Sequence, residues 1–141
     1  QAQVRHVSRL FLAAARKRVP WLTVVLRKAY GLGAMALAGG SLHAPMATAA
    51  WPTGEFGAMG LEGAVRLGYR KELEAQPEGP AREALFERLL AEQVARGAAL
   101  HIAQTLEIDA VIDPADTRDW LARGLASSRV GEAGARYVDA W

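Results

Sequence analysis

A short apolar run, WLTVVL at residues 21–26, passes directly into RKAYGLGAMALAGGS at 27–41, which contains four glycines. The run is rich in β-branched residues and does not alternate with polar ones, a pattern typical of a buried strand, most often a parallel one. Glycine permits unusual dihedrals and lets a ligand approach main-chain N–H groups closely. Because a surface turn needs only one or two glycines, the stretch predicts a strand, a bare turn at Gly31–Gly33 and a short helix at 34–38.

The rest of the chain alternates helix patterns with two further strand patterns. Helices are predicted at 3–17, 61–73, 80–96, 98–106 and 114–125, and strands at 46–51 and 108–113. Asp113 suits the N-cap of the last helix, with Pro114 at its first position. Strands alternating with helices indicate an α/β layered domain. Three short strands make a small sheet with two open edges, which predicts an incomplete domain or one completed by another chain.

Charge is distributed unevenly along the chain. Residues 1–50 carry seven Lys or Arg and no Asp or Glu, whereas residues 51–141 carry ten basic and fifteen acidic residues. A basic half can attract phosphate groups, or it can be a solvated face or a subunit contact. Because the basic residues are not interleaved with stacking aromatic residues, nucleic acid is not expected as a partner.

Two features bear on the compartment. The chain has no cysteine, which excludes disulfides and zinc-thiolate sites and fits a reducing compartment, so we expect a cytoplasmic location. Residues 29–54 are uncharged and contain ATAA before Trp51, which imitates a signal peptide. Pro45 and several glycines interrupt that segment, however, and it is too polar to span a bilayer. We therefore expect no membrane association.

A glycine turn that opens a helix gathers several unpaired N–H donors at the positive end of the helix dipole. Such donors can cradle a phosphate or stabilise an oxygen that gains negative charge during a reaction. No Gly-Lys-Ser/Thr follows the turn, which excludes a P-loop, and the later glycine of a dinucleotide fingerprint is missing. Tight packing of helix on sheet would also explain the glycines.

Three blocks in the same order resemble a known family. VPWLTVVLRKAYGLGAMALAGG begins at residue 19, AWPTGEFGAMGLEGAV follows at residue 50, and IDAVIDPADTR ends at residue 118. Together they resemble the carboxyltransferase subunits of biotin-dependent acyl-CoA carboxylases, such as acetyl-, propionyl- and methylcrotonyl-CoA carboxylase. The resemblance covers the later part of the C-terminal half of such a subunit. It implies that residues 1–126 belong to the C-terminal carboxyltransferase domain and residues 127–141 form a tail.

The resemblance implies an α/β fold of the crotonase-like (ClpP/crotonase) layered type, as part of a domain. It also implies transfer of a carboxyl group from carboxybiotin to an acyl-CoA, with biotin carried on a partner protein or domain and no metal bound by this chain. The expected partners are acyl-CoA, a biotin carboxylase or biotin carrier subunit, and the N-terminal carboxyltransferase half. A homo- or hetero-oligomer is expected, and the isolated chain is expected to be inactive because the acyl-CoA half is absent.

The family motif RKAYGGA aligns with RKAYGLG, which places the oxyanion donors at the amides of Leu32 and Gly33, with Gly31 permitting the turn. An alignment of the methylcrotonyl type favours Gly31 and Leu32 instead. Tyr30, Ala34 and Met35 are the candidate residues for biotin or substrate binding. The propionyl type has an acidic residue where this chain has Met35, so a longer or more apolar acyl chain is expected.

Two other functions stay open. The chain could be a non-catalytic assembly piece of such a complex, or another crotonase-like CoA hydratase or isomerase, in which Glu55 is the nearby candidate carboxylate. A solvated loop position also explains Glu55. His6, His43 and His101 have no partner at metal-ligand spacing and are expected to be ordinary surface or packing residues.

Overall fold

The computed structural model describes residues 2–129, in which seven helices and five strands alternate. The helices are α1 (Ala2–Arg16), α2 (Gly31–Leu37), α3 (Leu61–Gly68), α4 (Arg70–Glu74), α5 (Pro80–Arg96), α6 (Ala99–Gln104) and α7 (Thr117–Ser127). The strands are β1 (Leu22–Val25), β2 (Lys28–Tyr30), β3 (Ala47–Ala50), β4 (Glu55–Gly57) and β5 (Ala110–Val111). No helix in this part of the chain is long and apolar enough to cross a membrane.

The strands form two small sheets, and every pair is parallel. In the larger sheet β3 lies between β1 and β5, with Leu22 opposite Ala47 and Ala49 opposite Ala110. In the smaller sheet β2 pairs with β4, and Tyr30 lies opposite Gly57. The predicted strands at 21–26, 46–51 and 108–113 correspond to β1, β3 and β5, and the predicted parallel pairing is confirmed, although β5 has only two residues.

The sequence did not reveal β2 and β4, so the expectation of three strands was wrong. Each has only three residues and follows a longer strand after a short break, at 26–27 and at 51–54 respectively. Two successive units result, β1–β2–α2 and β3–β4–α3, in which a strand bends into a second sheet before a helix begins. The pairing of β1 with β3 and of β2 with β4 places the two units side by side. The glycine-containing turns after β2 and after β4 both fall at the end of the smaller sheet.

Two predicted helices have different bounds in the structure. The helix expected at 34–38 begins at Gly31, because that residue adopts a φ of 59° that allows β2 to turn sharply. The helix expected at 61–73 is divided into α3 and α4, because Tyr69 leaves the helical region at φ −111° and ψ 27°.

The end of the described chain agrees partly with expectation. The side chain of Asp113 accepts a hydrogen bond from the Ala115 amide at 2.8 Å, as the predicted N-cap requires. It caps a 3-10 turn, Pro114–Asp116, and α7 continues from there to Ser127. The predicted tail at 127–141 thus begins inside α7, and residues 130–141 lie outside the described residues.

The main core lies between the larger sheet and α6. Val25, Ala50, Phe56, Ala99 and Ile108 are buried together there. A second cluster joins α3, α4 and α5 through Val65, Leu73 and Leu89. Ala49, Ala50 and Ala99 are fully buried, and their small side chains let the larger sheet and α6 approach each other closely.

Asp109 extends the pairing between β3 and β5. Its amide donates to the Thr48 carbonyl at 2.8 Å, and its Oδ2 accepts from the Thr48 amide at 2.7 Å. Thr48 is fully buried, and its hydroxyl donates to the Leu42 carbonyl at 2.6 Å. One exposed carboxylate therefore satisfies a buried backbone donor at the end of a very short strand.

We predict that Asp109→Ala lowers the free energy of unfolding by about 1–2 kcal/mol, because the buried Thr48 amide then loses its acceptor. Asp109→Asn keeps an acceptor oxygen and should lose less than half of that amount. Urea unfolding followed by circular dichroism measures both. Equal losses in the two variants would show that the negative charge, and not the acceptor, provides the stabilisation.

Candidate functional site

The candidate site is the glycine turn between β2 and α2. Gly31 has a left-handed backbone conformation, which side chains other than glycine rarely adopt. A Cβ atom at this position would lie 2.9 Å from the carbonyl oxygen of Ala58, which belongs to the loop after β4. Conformation and close approach both require glycine here, so the turn is held directly against the neighbouring unit.

The first amides of α2 have no carbonyl four residues earlier in the helix to bond. Tyr30 at the N-cap has an extended backbone, and its side chain makes no capping hydrogen bond. Within residues 2–129, no backbone carbonyl outside α2 accepts from the amides of Leu32 and Gly33. The helix therefore opens with a short row of N–H donors that have no acceptor among the described residues.

The side of the turn that carries these amides is exposed. Leu32 is 69% exposed, and in the described part of the chain a Cβ at Gly33 would meet no atom within 4 Å beyond its own helix and chain neighbours. A ligand oxygen can therefore reach the helix start without displacing a side chain. This openness weakens the packing explanation for Gly33, though not for Gly31, since no described residue outside its own helix lies within 4 Å of a Cβ placed at Gly33.

A cavity of about 550 Å³ lies beside the turn, and we call it the turn cavity. Its walls are mostly apolar, and its rim carries polar groups from α5, α6 and the segment after α6. The lining residues include Ala29, Gly31, Ala34, Met35, Phe56, Ile102, Arg96, His101 and Glu107. Among the residues singled out from sequence, the turn cavity brings together Gly31, Ala34 and Met35, whereas Leu32, Gly33 and Tyr30 do not line it.

Tyr30 lies on the other side of β2, because neighbouring side chains along a strand point to opposite faces. Its hydroxyl donates a hydrogen bond to Glu55 Oε2 at 2.8 Å. Both residues border a second cavity of about 340 Å³, together with Lys28, Met59 and Glu62. Sequence reasoning missed this contact because it depends on the pairing of β2 with β4, and neither short strand was predicted.

The surroundings keep the Tyr30 hydroxyl protonated. Burial raises the pKa of Tyr30 to about 12, and the hydrogen bond to Glu55 and the negative charges of Glu55 and Glu62 act in the same direction. Arg27 opposes them. The raised pKa extends the pH range in which the phenol stays protonated and donates to Glu55 Oε2.

The histidines are not gathered into a site. His43 Nε2 lies 3.4 Å from a Glu107 carboxylate oxygen, and both side chains are more than half exposed. His6 is exposed on α1, and His101 is exposed at the rim of the turn cavity. Within residues 2–129, no group of three or more His, Asp or Glu residues is placed to hold a metal ion.

Residues 3–137 match the carboxyl transferase domain family. The biotin-dependent acetyl-/propionyl-coenzyme A carboxylase beta6 subunit of Mycobacterium tuberculosis is 40% identical over 129 residues, which are 89% of this chain and 26% of that protein. The chain spans about a quarter of the length of the curated relatives it matches.

Two solved structures are similar in fold. A single-chain, multi-domain long-chain acyl-CoA carboxylase matches with a TM-score of 0.74 and 52% identity, over 86% of this chain and 12% of that one. Transcarboxylase 12S, a hexamer with methylmalonyl-CoA and methylmalonic acid bound, matches with a TM-score of 0.78 and 33% identity, over 96% of this chain and 26% of that one. The expectation of a partial crotonase-like α/β domain is confirmed, and the chain belongs to the carboxyl transferase domain family.

Proposed function

We propose that the chain is part of the carboxyltransferase component of a biotin-dependent acyl-CoA carboxylase. In this role it helps to transfer a carboxyl group from carboxybiotin to an acyl-CoA. Membership of the carboxyl transferase domain family supports the reaction class. The observation in this chain that carries the proposal is the glycine turn, where Gly31 is held in a left-handed conformation directly before the uncapped amides of α2.

The residues at the turn fit the urea group of biotin. A ring carbonyl oxygen needs donors at about 2.7–3.1 Å on a side that no side chain blocks. The amides of Leu32 and Gly33 provide such donors, and the empty space around Gly33 provides the approach. Ala34 and Met35 line the turn cavity, and we assign them to the surroundings of the bound ring. We assign Tyr30 to the same site as the residue directly before Gly31, since its side chain lies on the opposite face of β2.

Carboxybiotin, when bound, supplies the transferable carboxyl group and, once CO₂ is released, the base that activates the acyl-CoA. The chain's own contribution is electrostatic. The amides of Leu32 and Gly33, or of Gly31 and Leu32 in the alternative alignment, donate hydrogen bonds to the ring oxygen as it gains negative charge. Because the turn fixes these donors in advance, no reorganisation is needed during the reaction.

The proposal includes the partners that the reaction needs. The acyl-CoA is held by the N-terminal carboxyltransferase half, and biotin arrives on a biotin carboxylase or biotin carrier subunit. We further propose an oligomer, in which the two halves of neighbouring subunits meet, and a cytoplasmic location. The hexamer assembly of the similar transcarboxylase 12S structure supports the proposed oligomer.

The contact between Tyr30 and Glu55 favours this proposal over a hydratase or isomerase. Those enzymes need a positioned carboxylate beside the oxyanion hole that is available to accept a substrate proton. The Glu55 carboxylate already accepts the Tyr30 hydroxyl, on the face of β2 opposite to the turn cavity. Variants at the glycine turn distinguish catalysis from a role in assembly alone.

In the assembled complex that contains this chain, we expect carboxybiotin and propionyl-CoA to give methylmalonyl-CoA. Gly31→Ala should lower kcat by about 100-fold or more, because the added methyl meets the Ala58 carbonyl and turns the helix amides away from the ring oxygen. Product formation is measured by liquid chromatography.

Gly68→Ala is the matched control, because a Cβ at Gly68, at the end of α3, would meet no atom of another described segment within 4 Å. It should leave kcat within about twofold. If wild-type complex forms no product with any acyl-CoA, or if Gly31→Ala is as active as wild type in a folded complex, the catalytic proposal fails and a role in assembly replaces it.

The identity of residue 35 should affect the choice of acyl chain. Met35 lines the mostly apolar turn cavity, and it stands where propionyl-type relatives are expected to have an acidic residue. Met35→Asp should lower kcat/KM for a long-chain acyl-CoA relative to propionyl-CoA by at least about tenfold. Competition assays with both substrates measure this ratio, and an unchanged ratio would remove Met35 from the acyl-chain site.

A further inference from the structure

We propose that Tyr30 and Glu55 form a positioning pair, which holds the last residue of β2 so that the first amides of α2 face the reacting oxygen. This inference rests on the proposed function of the glycine turn. It assigns Tyr30 a role through Gly31 and the amides beyond it, and it assigns Glu55 the role of an anchor that transfers no proton.

The first support is the place of Tyr30 in the chain. It is the last residue of β2, the N-cap of α2 and the direct neighbour of Gly31. Any rotation of its backbone is passed to the amides that follow, because α2 is a continuous helix from Gly31 to Leu37. A device that fixes Tyr30 therefore fixes the direction of those amides.

The second support is the contact across the smaller sheet. The Tyr30 hydroxyl reaches Glu55 Oε2 at 2.8 Å, so the end of β2 is tied to the start of β4. Tyr30 is also paired through its backbone with Gly57, at the end of β4. Its backbone and its side chain are thus held at two different points of the same strand.

The third support is the rigidity of the anchor. The Glu55 amide donates to the Arg27 carbonyl at 2.6 Å, and Glu55 forms an antiparallel bridge with Ala98. The next residue, Phe56, is buried in the main core, and its amide donates to the Gly97 carbonyl at 2.8 Å. Glu55 is therefore fixed by β2 on one side and by the α5–α6 junction on the other.

The fourth support is the close packing of Gly31 against the loop after β4. A Cβ at this residue would lie 2.9 Å from the Ala58 carbonyl oxygen, so the turn sits as close to the loop after β4 as a glycine allows. A small shift of Tyr30 must therefore move the turn away from β4 and reorient the amides. Fixed donors of this kind lose rate steeply with small displacements.

The test uses the assembled complex with Tyr30→Phe, Glu55→Ala, the double variant and Glu55→Gln. Tyr30→Phe and Glu55→Ala should each lower kcat and kcat/KM together by roughly tenfold, as expected for an interaction realised in the transition state. The double variant should be no slower than either single variant. Glu55→Gln keeps an acceptor oxygen and should recover most of the rate lost in Glu55→Ala.

Tyr69→Phe is the matched control, because Tyr69 also takes part in a side-chain hydrogen bond, from Gln93 at 3.3 Å, but lies between α3 and α4. It should not change kcat. Melting temperatures are measured for all variants. A fall in melting temperature with unchanged kcat, or a rise in KM alone, would overturn the positioning role.

If Glu55→Gln is as slow as Glu55→Ala while Tyr30→Phe stays active, Glu55 transfers a proton and the pair does not position the turn. A separate readout needs no activity. Hydrogen exchange of the segment 28–38 should become faster in Tyr30→Phe and Glu55→Ala but not in Tyr69→Phe, and unchanged exchange would overturn the proposal. If the wild-type complex is inactive but the variants show this exchange pattern, the proposed function fails and the structural role of the pair is retained.

Discussion

The close approach of Gly31 to the Ala58 carbonyl is the constraint on which the rest of the site depends. It brings the β1–β2–α2 unit against the β3–β4–α3 unit at the point where the smaller sheet ends. At this contact Gly31 adopts a left-handed conformation, and α2 begins there at once. The first amides of α2 have no side-chain cap and follow directly after this contact, so the contact determines where the donors lie.

The larger sheet and the long helices follow from local sequence patterns. The β-branched run at 21–26 and the short segments at 46–51 and 108–113 identified β1, β3 and β5. Pro80 and the residues after it indicated α5, and Asp113 beside Pro114 indicated the cap before α7. Each of these signals lies within a few residues of the structure it predicts.

The smaller sheet could not be found in this way. Lys28–Tyr30 and Glu55–Gly57 are too short to show a period, and glycine and lysine are poor strand residues. Their pairing is created by the parallel pairing of the strands before them, which brings two distant bends side by side. The contact between Tyr30 and Glu55 is a consequence of that pairing. Because the two residues are 25 positions apart in the sequence, no local pattern predicts their contact.

The catalytic donors raise a different difficulty, because the groups proposed to act are main-chain amides. Leu32 contributes an N–H whatever its side chain, so its identity contains no information about the role. The sequence records the role only indirectly, through Gly31, where conformation and a neighbouring carbonyl exclude every side chain. Side-chain chemistry matters at Tyr30, which lies next to the turn, and at Glu55, its hydrogen-bond partner. Replacing either residue changes the hydrogen bond between them but does not remove the main-chain N–H donors of α2. In a site built from backbone, the residues that sequence can identify are therefore those that hold the turn in place.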